Sequence, residues 1–299
     1  MATRVVGTDC RCLESRRTLN RRRKESAAHH LERPVISVGN LTTGGSGKTP
    51  VTRWLAEQLE RAGRQPAILT RGYRRASPAH LTIVAAGELA PLDVTGEEAQ
   101  MLIRDGHAHV GICANRHAVG AELTKRFRPG VFLMDDGLQH AALARDLEVV
   151  LIDALDPFGG GACLPLGRLR EPIDVLAKAD AIVITRVQPG IPTAGVEHEI
   201  RRWNSTAPLF RAKTLAGKWQ PIGSQPAFTF SRVAAFCGLG NPDSFFGTLR
   251  ELGLEICYRW RFADHHHYRP EELQRLLRRA VSSGAEAIVT TEKDMLNLP

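Results

Sequence analysis

The stretch Pro34-Val-Ile-Ser-Val-Gly-Asn-Leu-Thr-Thr-Gly-Gly-Ser-Gly-Lys-Thr-Pro50 decides how this chain of 299 residues folds. Val35–Val38 reads as a buried strand, a glycine-rich turn follows, and Gly47-Lys48-Thr49 opens a helix. That order predicts a phosphate cradle. Backbone N–H groups over Thr42, Thr43, Gly44, Gly45, Ser46 and Gly47 can close around phosphate oxygens. Lys48 can reach the β- and γ-phosphates, and the Thr49 hydroxyl can ligate Mg²⁺. The positive end of the helix dipole points at the same anion. One position is irregular: the strict pattern wants Gly five residues before Gly47, where Thr42 stands, so Gly39, Gly44 and Gly45 must give the loop its freedom.

Outward from the loop, Thr49 to Ala62 reads as a helix with Val51, Leu55, Leu59 and Ala62 on one face and Gly63 at its end. Ala67–Thr70, Val131–Met134, Val149–Ile152 and Ala181–Ile184 are short apolar runs between helical stretches. They predict βαβ units around a parallel sheet with helices on both faces. Residues 187–230 break this rhythm with repeated Pro and Gly, and are expected to connect two domains. A second βα series follows: a strand over Val233–Cys237, a helix capped by Asn241 with Pro242 at its first position, and a strand over Leu254–Trp260. A helix from Pro270 to before Gly284 and a strand over Ala287–Thr290 complete it. The expected division is a basic arm (1–33), a nucleotide-binding α/β domain (34–212) and a smaller α/β domain (213–299).

Composition sets limits on function. The net charge of +8 suits acidic partners without choosing among nucleotide, nucleic acid and anionic lipid. Cys10, Cys12, Cys113, Cys163, Cys237 and Cys257 include no Cys-x-x-Cys pair, which argues against a zinc site or a disulfide framework. No run of about 20 apolar residues spans a membrane, and the N-terminus lacks the apolar run of a secretory signal. Residues 1–33 carry nine Lys/Arg against four Asp/Glu. They suit either a solvated arm or a segment resting on anionic headgroups.

A phosphate loop needs a carboxylate partner for its metal, and Phe132-Leu-Met-Asp135-Asp136 supplies one where a buried strand ends. Adjacent side chains on a strand point to opposite faces, so Asp135 and Asp136 should differ in role. Glu97 and Glu98 are candidates to accept a proton, and Arg71 and Arg116 to neutralise a migrating phosphoryl group. Thr291-Glu-Lys-Asp294 is not the Asn-Lys-x-Asp of guanine-nucleotide switches, which weakens a switch reading. Asp264-His265-His266-His267 suits one metal ion poorly, because neighbouring histidines point apart. A single histidine orienting a base or contacting phosphate suits this tract better.

With these residues assembled, the chain resembles the tetraacyldisaccharide 4'-kinase family across roughly residues 34–296. The resemblance rests on Pro34–Pro50, Arg71-Gly-Tyr73, Asp135-Asp-Gly-Leu-Gln-His140, Leu164-Pro-Leu-Gly-Arg-Leu-Arg-Glu-Pro172, Gly238-Leu-Gly-Asn-Pro242, Asp264-His265 and Thr291-Glu-Lys-Asp294. It implies transfer of the ATP γ-phosphate to the 4'-hydroxyl of a tetraacyldisaccharide 1-phosphate. It also implies Mg²⁺ as cofactor, a lipid A disaccharide precursor as substrate, no nucleic acid, and peripheral work on the cytoplasmic face of the inner membrane. The implied fold is a P-loop NTPase-like α/β domain with a second, smaller one.

By matching position, Lys48 and Thr49 bind ATP and metal, and Asp135 and Asp136 serve the metal and the reacting phosphate. Glu97 stands where the family places the Asp base, one methylene longer, and His265 matches its partner. Arg71, Glu98, Arg116, Arg170 and Glu171 fall to the substrate. Three departures stand out: Arg74 replaces a family Gly, the family's apolar N-terminal helix is not visible in 1–33, and the family runs further past Asp294. A phosphotransferase with a soluble acceptor and a non-catalytic nucleotide switch are the alternatives.

Overall fold

The computed structural model describes residues 27–73, 75, 80–188, 190, 192–222 and 229–299. Cys10, Cys12, Arg74 and most of the expected basic arm lie outside them. The chain divides into two compact units, the first ending at Thr214 and the second running Leu215–Pro299.

In the first unit the apolar runs become strands of one eight-stranded sheet. They are β1 (Val35–Asn40), β2 (Pro66–Thr70), β3 (Thr82–Val84), β4 (His109–Ile112), β5 (Val131–Asp135), β6 (Leu147–Asp153), β7 (Ala181–Thr185) and β8 (Leu209–Arg211). Their spatial order is β3-β4-β2-β5-β1-β6-β7-β8. Every pairing is parallel except β3 with β4, which is antiparallel.

The pleat sends alternate side chains to two faces, and each face has its own helices. Ile68 of β2 and Leu133 of β5 pack with Ala56 of α1 (Lys48–Arg61) and with Leu102 and Ile103 of α3 (Glu97–Arg104). The neighbouring residues Ala67, Leu69, Phe132 and Met134 turn the other way, onto Val119 and Leu123 of α4 (Arg116–Phe127). Full burial of one such leucine or phenylalanine contributes about 1.5–3 kcal/mol. A four-residue helix, α2 (Leu92–Thr95), leads into α3.

Helix α1 packs on the sheet through the expected stripe: Val51, Leu55 and Leu59 lie partly covered against the strand residues, Thr52 and Ala56 are fully buried beside them, and only Ala62, beyond the helix end, is exposed. One reading of the sequence needs correction: residues 187–230 are not merely a connection. Helix α5 (Ala194–Trp203) and strand β8 lie inside this span. Only Ile200 of α5 is fully buried, with Val196 packed partly covered one turn before it. The chain after α5 is held by Asn204, whose Nδ2 donates to the carbonyls of Leu176 (2.8 Å) and Ala179 (2.9 Å). Asn204 Oδ1 accepts from the amides of Thr206 (3.2 Å) and Ala207 (2.9 Å).

The second unit is a three-stranded parallel sheet in the order β10-β9-β11. Its strands are β9 (Arg232–Cys237), β10 (Glu255–Arg261) and β11 (Ala287–Val289). Helix α6 (Pro242–Glu251) is capped as expected, the Asn241 side chain accepting from Ser244 N. Helix α7 (Pro270–Ser282) follows β10, and α8 (Glu292–Met295) follows β11. The Thr291–Asp294 motif is an internal fastener. Asp294, 1 % exposed, accepts from Gly238 N (2.8 Å), Tyr268 OH (2.7 Å) and Thr291 Oγ1 (2.6 Å).

Replacing Asn204 by alanine removes one bond from each of two carbonyls and two amides; the Leu176 carbonyl keeps the Ala179 amide. Asn204→Ala is expected to cost about 2–4 kcal/mol. Scanning calorimetry should register a fall on the order of 10 °C in the midpoint of the larger unit; an unchanged midpoint would refute this account of the 204–207 turn.

Candidate active site

Parallel neighbours β4, β2, β5 and β1 end at the same edge of the sheet, so the residues that follow them meet there. β1 delivers Lys48, β2 delivers Arg71, β4 delivers Arg116, and β5 ends in Asp135 and Asp136.

The phosphate loop is shaped by close approach and by two left-handed residues. A Cβ on Gly39 would sit 2.5 Å from Leu138 Cβ, so only glycine lets β1 pass the Asp-Asp-Gly-Leu segment. Gly44 (φ 116°) and Gly47 (φ 80°) adopt backbone that favours glycine. Thr42 does not; it is buried and forms an antiparallel bridge with Leu169. The Thr43 amide donates to Arg168 O (2.8 Å) and the Arg170 amide to Leu41 O (2.6 Å), so the Leu-Arg-Glu-Pro segment is laced to the phosphate loop. On the other side Thr185 Oγ1 donates to Ser46 O (2.8 Å). Among the described residues the amides of Gly44, Gly45 and Gly47 have no acceptor, and the buried Ser46 hydroxyl has no partner. This donor set fits a polyanion.

The two aspartates differ as their strand position predicts. Asp135 is 3 % exposed and accepts from Thr52 Oγ1 (3.2 Å) and Thr70 Oγ1 (3.4 Å). Burial, then the charges of Asp136 and Glu98, raise its pKa to about 6 against the pull of Lys48 and Thr52. Asp136 sits just past the strand with φ 51° and takes a bidentate bond from Arg170, Nη1 to Oδ1 2.7 Å and Nη2 to Oδ2 3.0 Å. Lys48 Nζ lies 3.7 Å from Asp136 Oδ1. Burial pushes the Asp136 carboxyl up, but Lys48, Arg170 and Arg116 outweigh it and hold the group below its usual range.

The remaining residues of the larger unit divide by burial. Arg116, first residue of α4, is 3 % exposed and donates from Nη1 to Cys113 O (2.7 Å). Burial lowers its pKa to about 10, while Asp135 and Asp136 work against that and Arg71 adds to it. Arg71 is therefore near Arg116, and it is exposed. Glu97 and Glu98 open α3 behind Gly96 (φ 79°), where a Cβ would lie 2.7 Å from Tyr73 O. The Glu97 segment thus packs on the Arg-Gly-Tyr loop. Glu97 is 8 % exposed, Glu98 is exposed and Glu171 half-buried.

In the second unit His265 has φ 61°, with Nε2 3.4 Å from Lys293 Nζ and 3.8 Å from Asp264 Oδ2. Lys293 Nζ donates to Asp264 Oδ1 at 2.7 Å. His266 instead meets Glu272 (2.9 Å) and stacks on Phe262. The histidine tract is split between environments, as its spacing requires.

No group of three or more His, Cys, Asp or Glu among the described residues could hold a metal ion unaided. A divalent cation here would draw on Thr49 and Asp135 or Asp136, with phosphate oxygens and water filling its shell. Mg²⁺ suits that sparse oxygen set, and the raised Asp135 pKa marks a carboxylate that a cation would relieve.

Sequence reasoning missed Asn40, Thr52, Thr70, Gln139 and Thr185. Asn40 and Gln139 lay inside the quoted motifs, and Gln139 Nε2 donates to Asn40 O (3.0 Å). Thr52, Thr70 and Thr185 carried no signal, because their role is to meet residues distant in sequence.

Comparison with known proteins agrees with this geometry. The family model described as tetraacyldisaccharide-1-P 4'-kinase matches residues 5–299. A tetraacyldisaccharide 4'-kinase of Syntrophobacter fumaroxidans is 37 % identical over 288 residues, covering 94 % of this chain and 76 % of the relative. One from Geobacter metallireducens is 38 % identical over 276 residues, covering 90 % and 79 %. The crystal structure of the "apo" form of LpxK from Aquifex aeolicus in complex with ATP aligns with a TM-score of 0.74 at 27 % identity, covering all of this chain and 92 % of that one. A nucleotide loop facing paired aspartates, laced to a Leu-Arg-Glu-Pro segment, thus sits in a chain that belongs to the tetraacyldisaccharide-1-P 4'-kinase family.

Proposed function

We propose that this chain transfers the γ-phosphate of ATP to the 4'-hydroxyl of a tetraacyldisaccharide 1-phosphate, the precursor of lipid IVA in lipid A biosynthesis. The observation that carries this reading is the Asp135–Asp136 pair beside Lys48, on a chain matched almost throughout by the family model. The polyphosphate lies along Thr42–Thr49, its oxygens meeting the free loop amides and the Lys48 ammonium. Mg²⁺, held through Thr49, Asp135 and Asp136, supplies charge neutralisation on the phosphate oxygens when bound.

Glu97 accepts the proton of the sugar hydroxyl as that oxygen attacks phosphorus. Glu97 is buried at the start of α3, against the Arg-Gly-Tyr loop. His265 matches the histidine that the family resemblance assigns as partner of this base. Lys48 and Asp136 serve the reacting phosphate. Arg71, Arg116 and Arg170, with Glu98 and Glu171, receive the phosphorylated disaccharide, where guanidinium groups match phosphate geometry.

The positive net charge supports a place at the anionic cytoplasmic face of the inner membrane. No helix among the described residues is long and apolar enough to cross a membrane. The basic segment 1–33 is the part of the chain proposed to make it.

Purified protein given radiolabelled ATP, Mg²⁺ and the tetraacyldisaccharide 1-phosphate is expected to label the lipid, and chelation by EDTA to abolish labelling. Label appearing only on a soluble acceptor, or hydrolysis gated by a protein partner, would replace this reading with one of the two alternatives. Glu97→Gln keeps the shape and removes the base. It should lower kcat by roughly 10²–10⁴-fold with little change in MgATP affinity; steady-state kinetics with full turnover would take Glu97 out of the mechanism.

A further inference from the structure

We propose that Asn40 is a positioning residue for the ATP phosphates, its carboxamide seating the Lys48 ammonium and closing the turn where the phosphate loop has Thr42 in place of glycine. Asn40 is the last residue of β1 and is fully buried. Its Oδ1 accepts from Lys48 Nζ at 3.0 Å, and its Nδ2 donates to Thr42 O at 2.7 Å. Its main-chain carbonyl takes the Gln139 bond, which ties β1 to the Asp-Asp-Gly-Leu-Gln segment.

The two ends of the carboxamide are not interchangeable here. Only an oxygen can face an ammonium and only an NH₂ can face a carbonyl, so one orientation satisfies both partners. An aspartate would set a second acceptor against the Thr42 carbonyl, and an aliphatic residue would leave both partners bare in the interior.

Two consequences follow for the anion. A carbonyl turned toward polyphosphate repels it, and the Thr42 carbonyl is instead committed to Asn40. The lysine stem loses rotamer freedom when it is fixed, and an acceptor that holds it before ATP arrives removes part of that cost from binding. Asn40 does this without charge. Asp136, 3.7 Å from the same ammonium, is the competing partner and carries a full negative charge. A neutral acceptor aims the lysine while leaving its charge for the phosphates.

This inference rests on the reading that ATP occupies the loop, and the experiment separates the two. Isothermal titration with MgATP compares the parent, Asn40→Ala and the isosteric Asn40→Asp, which keeps the volume if alanine compromises folding. Both variants are expected to lose affinity by about tenfold or more. KM for MgATP should rise while KM for the lipid acceptor stays unchanged. In a Lys48→Ala background the Asn40→Ala change should cost less than about twofold, because coupled residues are not additive.

A parent that fails to bind MgATP would remove the nucleotide reading itself. A parent that binds, with folded variants binding equally well, would overturn the Asn40 assignment alone. An undiminished loss in the Lys48→Ala background would reduce Asn40 to a structural residue and overturn it as well.

Discussion

Two neighbouring carboxylates at the end of a buried strand cannot both stay ionised without compensation, and the larger unit is arranged around that constraint. Asp135 receives two hydroxyls, from Thr52 of α1 and Thr70 of β2. Asp136 receives two cations, Arg170 and Lys48. Hydroxyls soften the burial penalty without cancelling charge, so Asp135 remains hard to ionise. Guanidinium and ammonium cancel it, so Asp136 is ionised readily. One strand thereby presents two carboxylates of different character within one residue of each other.

The same constraint explains the traffic of loops. Arg170 can reach Asp136 only because the segment before it pairs with the phosphate loop through Thr42, Thr43 and Leu41. Gly72 and Gly96 let the β2 and α3 connections pack closely; a Cβ on Gly72 would fall 2.4 Å from Ile112 Cγ2 and one on Gly96 2.7 Å from Tyr73 O.

In the second unit the same economy is structural. Asp294 gathers Gly238, Tyr268 and Thr291, so a motif that might pass for nucleotide recognition joins three loops. Beside it the Lys293–Asp264 pair sets the position of His265. The Thr-Glu-Lys-Asp and Asp-His segments, far apart in the chain, are thus two halves of one local arrangement.

Sequence by itself determined the strand–loop–helix unit at 34–61, the parallel βα character of both units, the Asn241 cap, the helix start at Pro270, and the presence of Asp135 and Asp136 at a strand end. These follow from local rules: apolar runs of strand length, glycine where the backbone turns left, and side chains that cap a helix three residues away. Tertiary structure alone decided that Thr52 and Ala56 are the fully buried residues of α1, that 194–211 contains a helix and a strand, and that Thr42 needs no glycine. It alone placed Asn40, Thr70 and Thr185 around the loop and gave the two aspartates unlike partners. Each of these depends on contacts between segments 28 to 139 residues apart or on a polar bond with no periodicity, and neither leaves a pattern that a single chain displays.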